Sequence, residues 1–119
     1  MSLSNLSVEM KVMQAMPLER AVADFYGVHP KVINSTSRKK DIVKIRQIAQ
    51  WLRVQENLRY KGRPHWNEVV KHFPKKDRTI DHATIIHSFR TVNNHIETEK
   101  KFREEIYELQ KFIFGKVKY

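Results

Sequence analysis

The sequence contains no cysteine, which excludes disulfides and thiolate metal sites and is compatible with a reducing compartment. Only three glycines and four prolines interrupt 119 residues, too few breakers for a chain of many short strands and tight turns. No stretch approaches the roughly 20 consecutive apolar residues of a membrane span. The amino end, Met1-Ser2-Leu3-Ser4-Asn5, has neither the basic region nor the apolar run of a secretory signal. A soluble, cytoplasmic protein with no membrane partner is expected. Acidic residues are scarce as well: 13 face 23 Lys and Arg, leaving a formal net charge of +10.

That excess is unevenly placed. Between His29 and Arg63 lie Lys31, Arg38, Lys39, Lys40, Lys44, Arg46, Arg53, Arg59, Lys61 and Arg63, against only Asp41 and Glu56. Such a field attracts phosphate polymers, so a polyanionic partner is expected. From Glu97 to Tyr119, by contrast, six basic residues are mixed with five acidic ones, the pattern of a solvated helix face.

The apolar residues recur at helical rather than alternating spacing, which predicts an all-α chain. Val8, Val12 and Ala15 or Met16 mark a helix over Ser7–Met16, and Pro17 suits the first turn of the next. That second helix, Leu18 to about Tyr26, carries the stripe Leu18, Ala21, Val22 and Phe25 with a polar outer face, and Gly27 stops it. His29-Pro30 opens a short helical turn through Val32-Ile33. Asn34 to Ser37 then form a loop leading into Arg38-Lys39-Lys40.

With Asp41 as N-cap, Ile42, Ile45, Ile48, Ala49 and Leu52 predict a central helix, followed by a connection over Tyr60–Pro64. Trp66, Val69, Val70 and Phe73 make a short amphipathic helix ended by Pro74, and Lys75 to Ile80 a basic turn. Asp81 caps a longer helix with Ile85, Ile86, Phe89, Val92 and Ile96 on its buried face. Short helix, turn, longer capped helix is the outline of a helix-turn-helix. Glu97 to Phe114, with Phe102, Ile106, Leu109 and Ile113 on one face and Gly115 at its end, closes the core. The expectation is one helical domain over 1–119, with its core in 17–96 and a closing helix over 97–114. The outer face of that last helix is a candidate docking surface for a partner protein.

Four blocks in this order, Val22-Ala23-Asp24-Phe25-Tyr26-Gly27-Val28, Arg38, Arg46-Gln47-Ile48-Ala49 and Asp81-His82-Ala83-Thr84-Ile85-Ile86-His87, resemble the DNA-binding domain of the bacterial DnaA replication initiators. In that family a Val-Ala-x-x-Tyr-type helix leads to a basic loop. An Arg-Gln-[Ile/Met]-Ala helix follows, then a recognition helix opening Asp-His-Thr-Thr. The resemblance covers roughly Leu18 to Ile96. It implies a Trp-repressor-like bundle whose recognition helix enters the major groove of double-stranded DNA while the basic loop reaches the adjacent minor groove. The chain departs from the pattern in having Ala83-Thr84 for the Thr pair, Ser37 for the basic residue before Arg38, and Val70 for a customary glycine. It is also longer around Tyr60–Pro64 and Lys75–Ile80. It has no Gly-x-x-x-x-Gly-Lys-[Ser/Thr] phosphate loop, so the initiator's ATPase module is missing.

In a helix-turn-helix the first residues of the second helix meet base edges, which assigns Asp81, His82, Ala83 and Thr84 to base reading. Asp81 can accept from a cytosine amino group, His82 can bond purine edges, and the Ala83 methyl can pack on a thymine methyl. Arg38 matches the arginine the family inserts in the minor groove, where a guanidinium reads shape as much as sequence. Lys39, Lys40, Lys44, Arg46, Gln47, Lys75, Lys76, Arg78 and Thr79 are assigned to phosphates.

No metal and no cofactor is expected. His82 and His87 are five residues apart and do not share a helix face, and no nucleophile–base pair has recognisable spacing, so the chain does not read as an enzyme. Three roles remain open at the level of sequence: replication initiation or its regulation, a transcriptional regulator of a phage or mobile-element type, and a helical protein-interaction module with a basic face.

Overall fold

Every regular element that the computed structural model describes is helical. The described residues are 17–74 and 80–116. The helix expected over Ser7–Met16 and the assigned residues Lys75, Lys76, Arg78 and Thr79 therefore lie outside them. The elements are α1 (Pro17–Tyr26), a 3₁₀ turn (Pro30–Asn34), α2 (Lys40–Lys61), α3 (Trp66–Val70), α4 (His82–Thr98) and α5 (Lys100–Lys116).

Pro17 opens α1, where its missing N–H costs nothing, and Glu19 lies in the first turn. Gly27, at φ 69°, closes the helix. Its N–H bonds Asp24 O and the next N–H, of Val28, bonds Ala23 O, the paired capping pattern that needs a left-handed residue. The expected stripe is buried at Leu18 and Val22, with Ala21 and Phe25 half-buried.

The outer face of α1 is not uniformly polar-exposed, because Glu19 is only 1% exposed. Arg53 of α2 reaches its carboxylate with two bonds, from Nε at 2.9 Å and Nη2 at 2.5 Å. Its partner lies 34 residues away, so no local pattern announces the pairing.

The central helix α2 is longer than its apolar stripe suggests. Lys39, not Asp41, is its N-cap, and Asp41 sits within the first turn. Tyr60 and Lys61, expected in a connection, belong to its last turn, because nothing breaks the helix before Gly62 at φ 74°, whose N–H bonds Leu58 O. Along its length α2 packs on α1, the 3₁₀ turn, α3 and, most extensively, α4. Ile45, Ile48, Ala49, Leu52 and Val54 meet Val69, Phe73, Ile85 and Val92 in one apolar core.

Two polar bonds cross from α2 to α4. Trp51 Nε1 donates to Asn93 Oδ1 at 2.8 Å, and Ser88 Oγ donates to Gln50 Oε1 at 2.5 Å. The second pair is fully buried, and Gln50 Nε2 has no hydrogen-bond partner among the described residues.

The chain leaves α4 later than expected. Helix continues past Glu97 to Thr98 and breaks at Glu99, whose backbone is extended (φ −124°, ψ 109°). At its far end α5 runs through Gly115 instead of stopping there. Ile106, Leu109 and Ile113 are buried as their spacing requires, and Phe102 is half-buried. Phe112 meets Phe25 edge to face at 5.5 Å, and Tyr26 Oη donates to Glu105 at 2.6 Å, so α5 lies against α1 as well as α4.

Candidate nucleic-acid interface

The amino end of α4 faces outward. Asp81, His82, Ala83 and Thr84 are all exposed, whereas Ile85, Ser88 and Val92 further along the helix are buried. Asp81 is the N-cap, with extended backbone (φ −76°, ψ 144°) and a carboxylate oxygen accepting from the Ala83 N–H at 3.2 Å. That bond engages one carboxylate oxygen, and the carboxylate's acceptor capacity is larger than one bond.

Arg38 lies in a segment held by its own side chains. Ser35 Oγ donates to Val32 O and accepts from the Ser37 N–H, while Ser37 Oγ accepts from the Lys39 N–H. Arg46 then clamps the segment from α2. Its Nε donates to Ile33 O at 3.1 Å, and its Nη2 donates to Ser35 O at 2.8 Å and Ser37 O at 2.9 Å. Burial lowers the Arg46 pKa, but a guanidinium starts so high that it stays charged. Arg46, assigned from sequence to a phosphate, thus commits Nε and Nη2 to three carbonyl oxygens of the loop. Arg38 itself is exposed, as are Lys39 and Lys40.

These elements meet at a groove lined by Arg38, Lys40, Lys44 and Gln47 on one side and Val92, His95, Glu99 and Phe102 on the other. Lys44 is also engaged within the molecule, paired with Glu105 at 2.9 Å and 5.7 Å above the Phe102 ring. Sequence reasoning missed the bonds of Glu105 because its partners lie 61 and 79 residues away, and those of Arg46 because they go to backbone carbonyls of a loop 9 to 13 residues upstream, which no spacing pattern marks. Among the described residues no group of His, Asp or Glu is arranged to hold a metal ion, and no helix is long and apolar enough to cross a membrane.

The combination of a short helix, an outward-facing capped second helix and a clamped basic loop runs through residues 18–92. Over those same residues the chain matches the model of the family described as bacterial dnaA protein helix-turn-helix. The chain belongs to that family.

Among curated proteins the chain is similar to the chromosomal replication initiator proteins DnaA of Wolbachia sp. subsp. Brugia malayi and of Wolbachia pipientis wMel. They are 28% and 30% identical over 94 residues, which is 79% of this chain and 18% of each relative. The initiator DnaA of Bacteroides thetaiotaomicron is 25% identical over 105 residues, 88% of this chain and 20% of the relative. The chain thus spans about a fifth of the length of these relatives. No solved structure matches it at a significant level. The matched DnaA-type segment includes Arg38, Arg46 and Asp81 to Thr84, and ends at Val92, within α4 and before α5.

Proposed function

We propose that this chain binds double-stranded DNA sequence-specifically, with the amino end of α4 in the major groove and Arg38 in the adjacent minor groove. The observation that carries the reading is the exposure of four consecutive residues, Asp81 to Thr84, at the end of a helix otherwise anchored in the core. Membership of the DnaA helix-turn-helix family supports it and favours a role in replication initiation or its regulation.

Spacing supports it too. Arg38 shares a groove with Val92 and His95, nine to twelve residues beyond Ala83. At ~1.5 Å per residue that is about 14–18 Å along α4. Half of the ~34 Å helical repeat of DNA is about 17 Å, which suits one contact in each of two adjacent grooves. Loop fixation by Arg46 adds to affinity because less freedom is lost on binding.

In this reading Asp81, His82, Ala83 and Thr84 select bases. Lys39, Lys40, Gln47 and, ahead of α4 in sequence, Lys75, Lys76, Arg78 and Thr79 hold phosphates. The test is a mobility-shift competition between a duplex carrying a DnaA-box-like site and a scrambled duplex of equal length. Preferential binding of the first is expected, and equal binding of both removes the sequence-specific reading.

A further inference from the structure

Two of the three large apolar side chains that stand exposed among the described residues lie on α5: Tyr107, 61% exposed, and Phe114, 38% exposed. Ile106, Leu109 and Ile113 are buried on the opposite side of the same helix. Lys100, Glu104, Tyr107, Lys111 and Phe114, spaced four, three, four and three residues apart, follow one line along its outer face, the spacing at which one helix meets another along its length. All five are exposed, with Arg59 of α2 lying 5.5 Å from the centre of the Phe114 ring. Charged residues on such a seam cost stability and fix its direction.

The charges on this line say what can cover it. Glu104 and Lys111, of opposite sign, stand three residues before and four residues after Tyr107. A second copy laid alongside in the same direction sets Glu104 against Glu104 and Lys111 against Lys111, which repel. Turned end for end, about a two-fold axis level with residues 107 and 108, it sets each Glu104 against Lys111 of the other copy and brings the two Tyr107 rings together.

Both charges are available for this. Glu104 has no ion pair among the described residues, and Lys100, four residues before it, stands in the weaker order for such a pair. Lys111 lies over its own Tyr107 ring and 3.8 Å from Glu108 Oε1, both exposed contacts that bind it weakly. Net charge selects the face as well. Two chains of +10 repel one another, most strongly where Arg38, Lys39 and Lys40 stand together. On α5 Lys100, Glu104, Glu108 and Lys111 carry two charges of each sign, with Lys101 and Arg103 to either side.

We propose that this chain forms a two-fold dimer through α5, the two helices antiparallel and Glu104 of each copy facing Lys111 of the other. The paired stretch is ~25 Å long, small for a specific contact, so the dimer is weak, with a dissociation constant on the order of 10–100 µM. None of the five seam residues is assigned to DNA, so the proposal stands or falls independently of that reading.

Sedimentation equilibrium of the full chain tests it. The average mass is expected to climb from one chain toward two between about 10 µM and 1 mM. Glu104→Lys and Lys111→Glu each set like charges face to face twice, and each weakens the dimer by about tenfold or more. The two move the net charge in opposite directions, so a loss in both reports pairing and not overall repulsion. Glu104→Lys/Lys111→Glu restores the opposition of signs and brings the dissociation constant back to within about threefold of the parent's. Melting temperatures of these surface variants stay within about 4 °C of the parent's, which separates pairing from folding. Tyr60→Ser, which removes an aromatic ring 76% exposed on α2, leaves the mass curve unchanged. A chain that stays monomeric to about 1 mM leaves this face to a different partner and overturns the proposal. So does a dimer that the single charge changes do not weaken, one that the double change does not restore, or one that Tyr60→Ser weakens equally.

Discussion

Arg46 donates through Nη2 to the carbonyl oxygen of Ser37 at 2.9 Å, on the residue immediately before Arg38. The same guanidinium reaches Ile33 O and Ser35 O, so one side chain of α2 fixes the whole approach to the basic loop. Arg46→Ala leaves partly buried acceptors unpaired and is expected to cost about 1–3 kcal/mol. Arg46→Lys separates the clamp from a phosphate contact. An ammonium keeps the charge but lacks the planar fork, so faster amide exchange over residues 35–39 in both variants marks a clamp. Lysine behaving like the parent chain in exchange and in DNA affinity marks a phosphate contact instead.

Glu19 and Arg53 form an ion pair that is 1% and 13% exposed at the two side chains. Removing one partner strands a buried charge, so Glu19→Ala is expected to lose about 3–5 kcal/mol in chemical denaturation. The paired change Glu19→Leu/Arg53→Met recovers most of that loss, since an apolar pair of similar size avoids the desolvation of both ions. A double variant as unstable as the single one shows that the loss at Glu19 is not due to a stranded charge.

At the amino end of α4, capping and base reading can be told apart. Asp81→Asn keeps a side-chain oxygen for the Ala83 N–H, so stability should change by only a few tenths of a kcal/mol, about the spread among good caps. An amide presents donors where the carboxylate had none, so the preferred base is expected to change. His82→Ala should lose about 1–3 kcal/mol of discrimination at one base position, while Lys39→Ala weakens all sequences alike. Binding-site selection with each variant reads both effects, and an unaltered site preference for Asp81→Asn and His82→Ala sinks their assignment to bases.

In the core, Gln50 spends its oxygen on Ser88, and Nε2 has no partner among the described residues. Replacing both groups by apolar ones, as Gln50→Met/Ser88→Ala, removes the orphan and is expected to raise stability by about 1 kcal/mol. Ser88→Ala alone strips the remaining bond from a buried amide and should cost about 1–3 kcal/mol. Thermal melts of the two variants moving in opposite directions confirm the account, and two losses refute it.

Burial, and then the hydrogen bond to Glu105, raises the Tyr26 phenol above its ordinary value of 10.0. A folded-state pKa above the unfolded one means that the fold holds this proton more tightly. The contribution is complete below about pH 10 and drains as pH climbs from there toward the folded value. Tyr26→Phe has no proton to lose, so its melting temperature should fall less steeply than the parent's above about pH 10. Parallel alkaline limbs count against the Tyr26–Glu105 bond as a source of stability.

Much of this was legible in the chain itself. The stop at Gly27 follows from glycine's ease in the left-handed backbone found there, the Asp81 cap from its place before an apolar stripe, and the α4 and α5 faces from their helical period. Charge scarcity on the acidic side pointed to a polyanion, and the residues resembling the DnaA domain lie within the segment matched by the family. Boundaries were less legible. Asp41 has the chemistry of an N-cap, yet the cap is Lys39, two residues earlier, where the loop held by Ser37 ends.

The sequence determined the helices, the chain's own positive charge and the family, because those depend on residue type and on spacing along one segment. Tertiary structure alone decided that Glu19 turns inward to Arg53, that Arg46 serves the loop, and that Arg38 shares a groove with Val92 and His95. The first and third depend on which distant helix lies opposite and the second on how the loop folds back on α2, and a charged side chain reads the same in sequence whether it faces water or a partner inside the molecule.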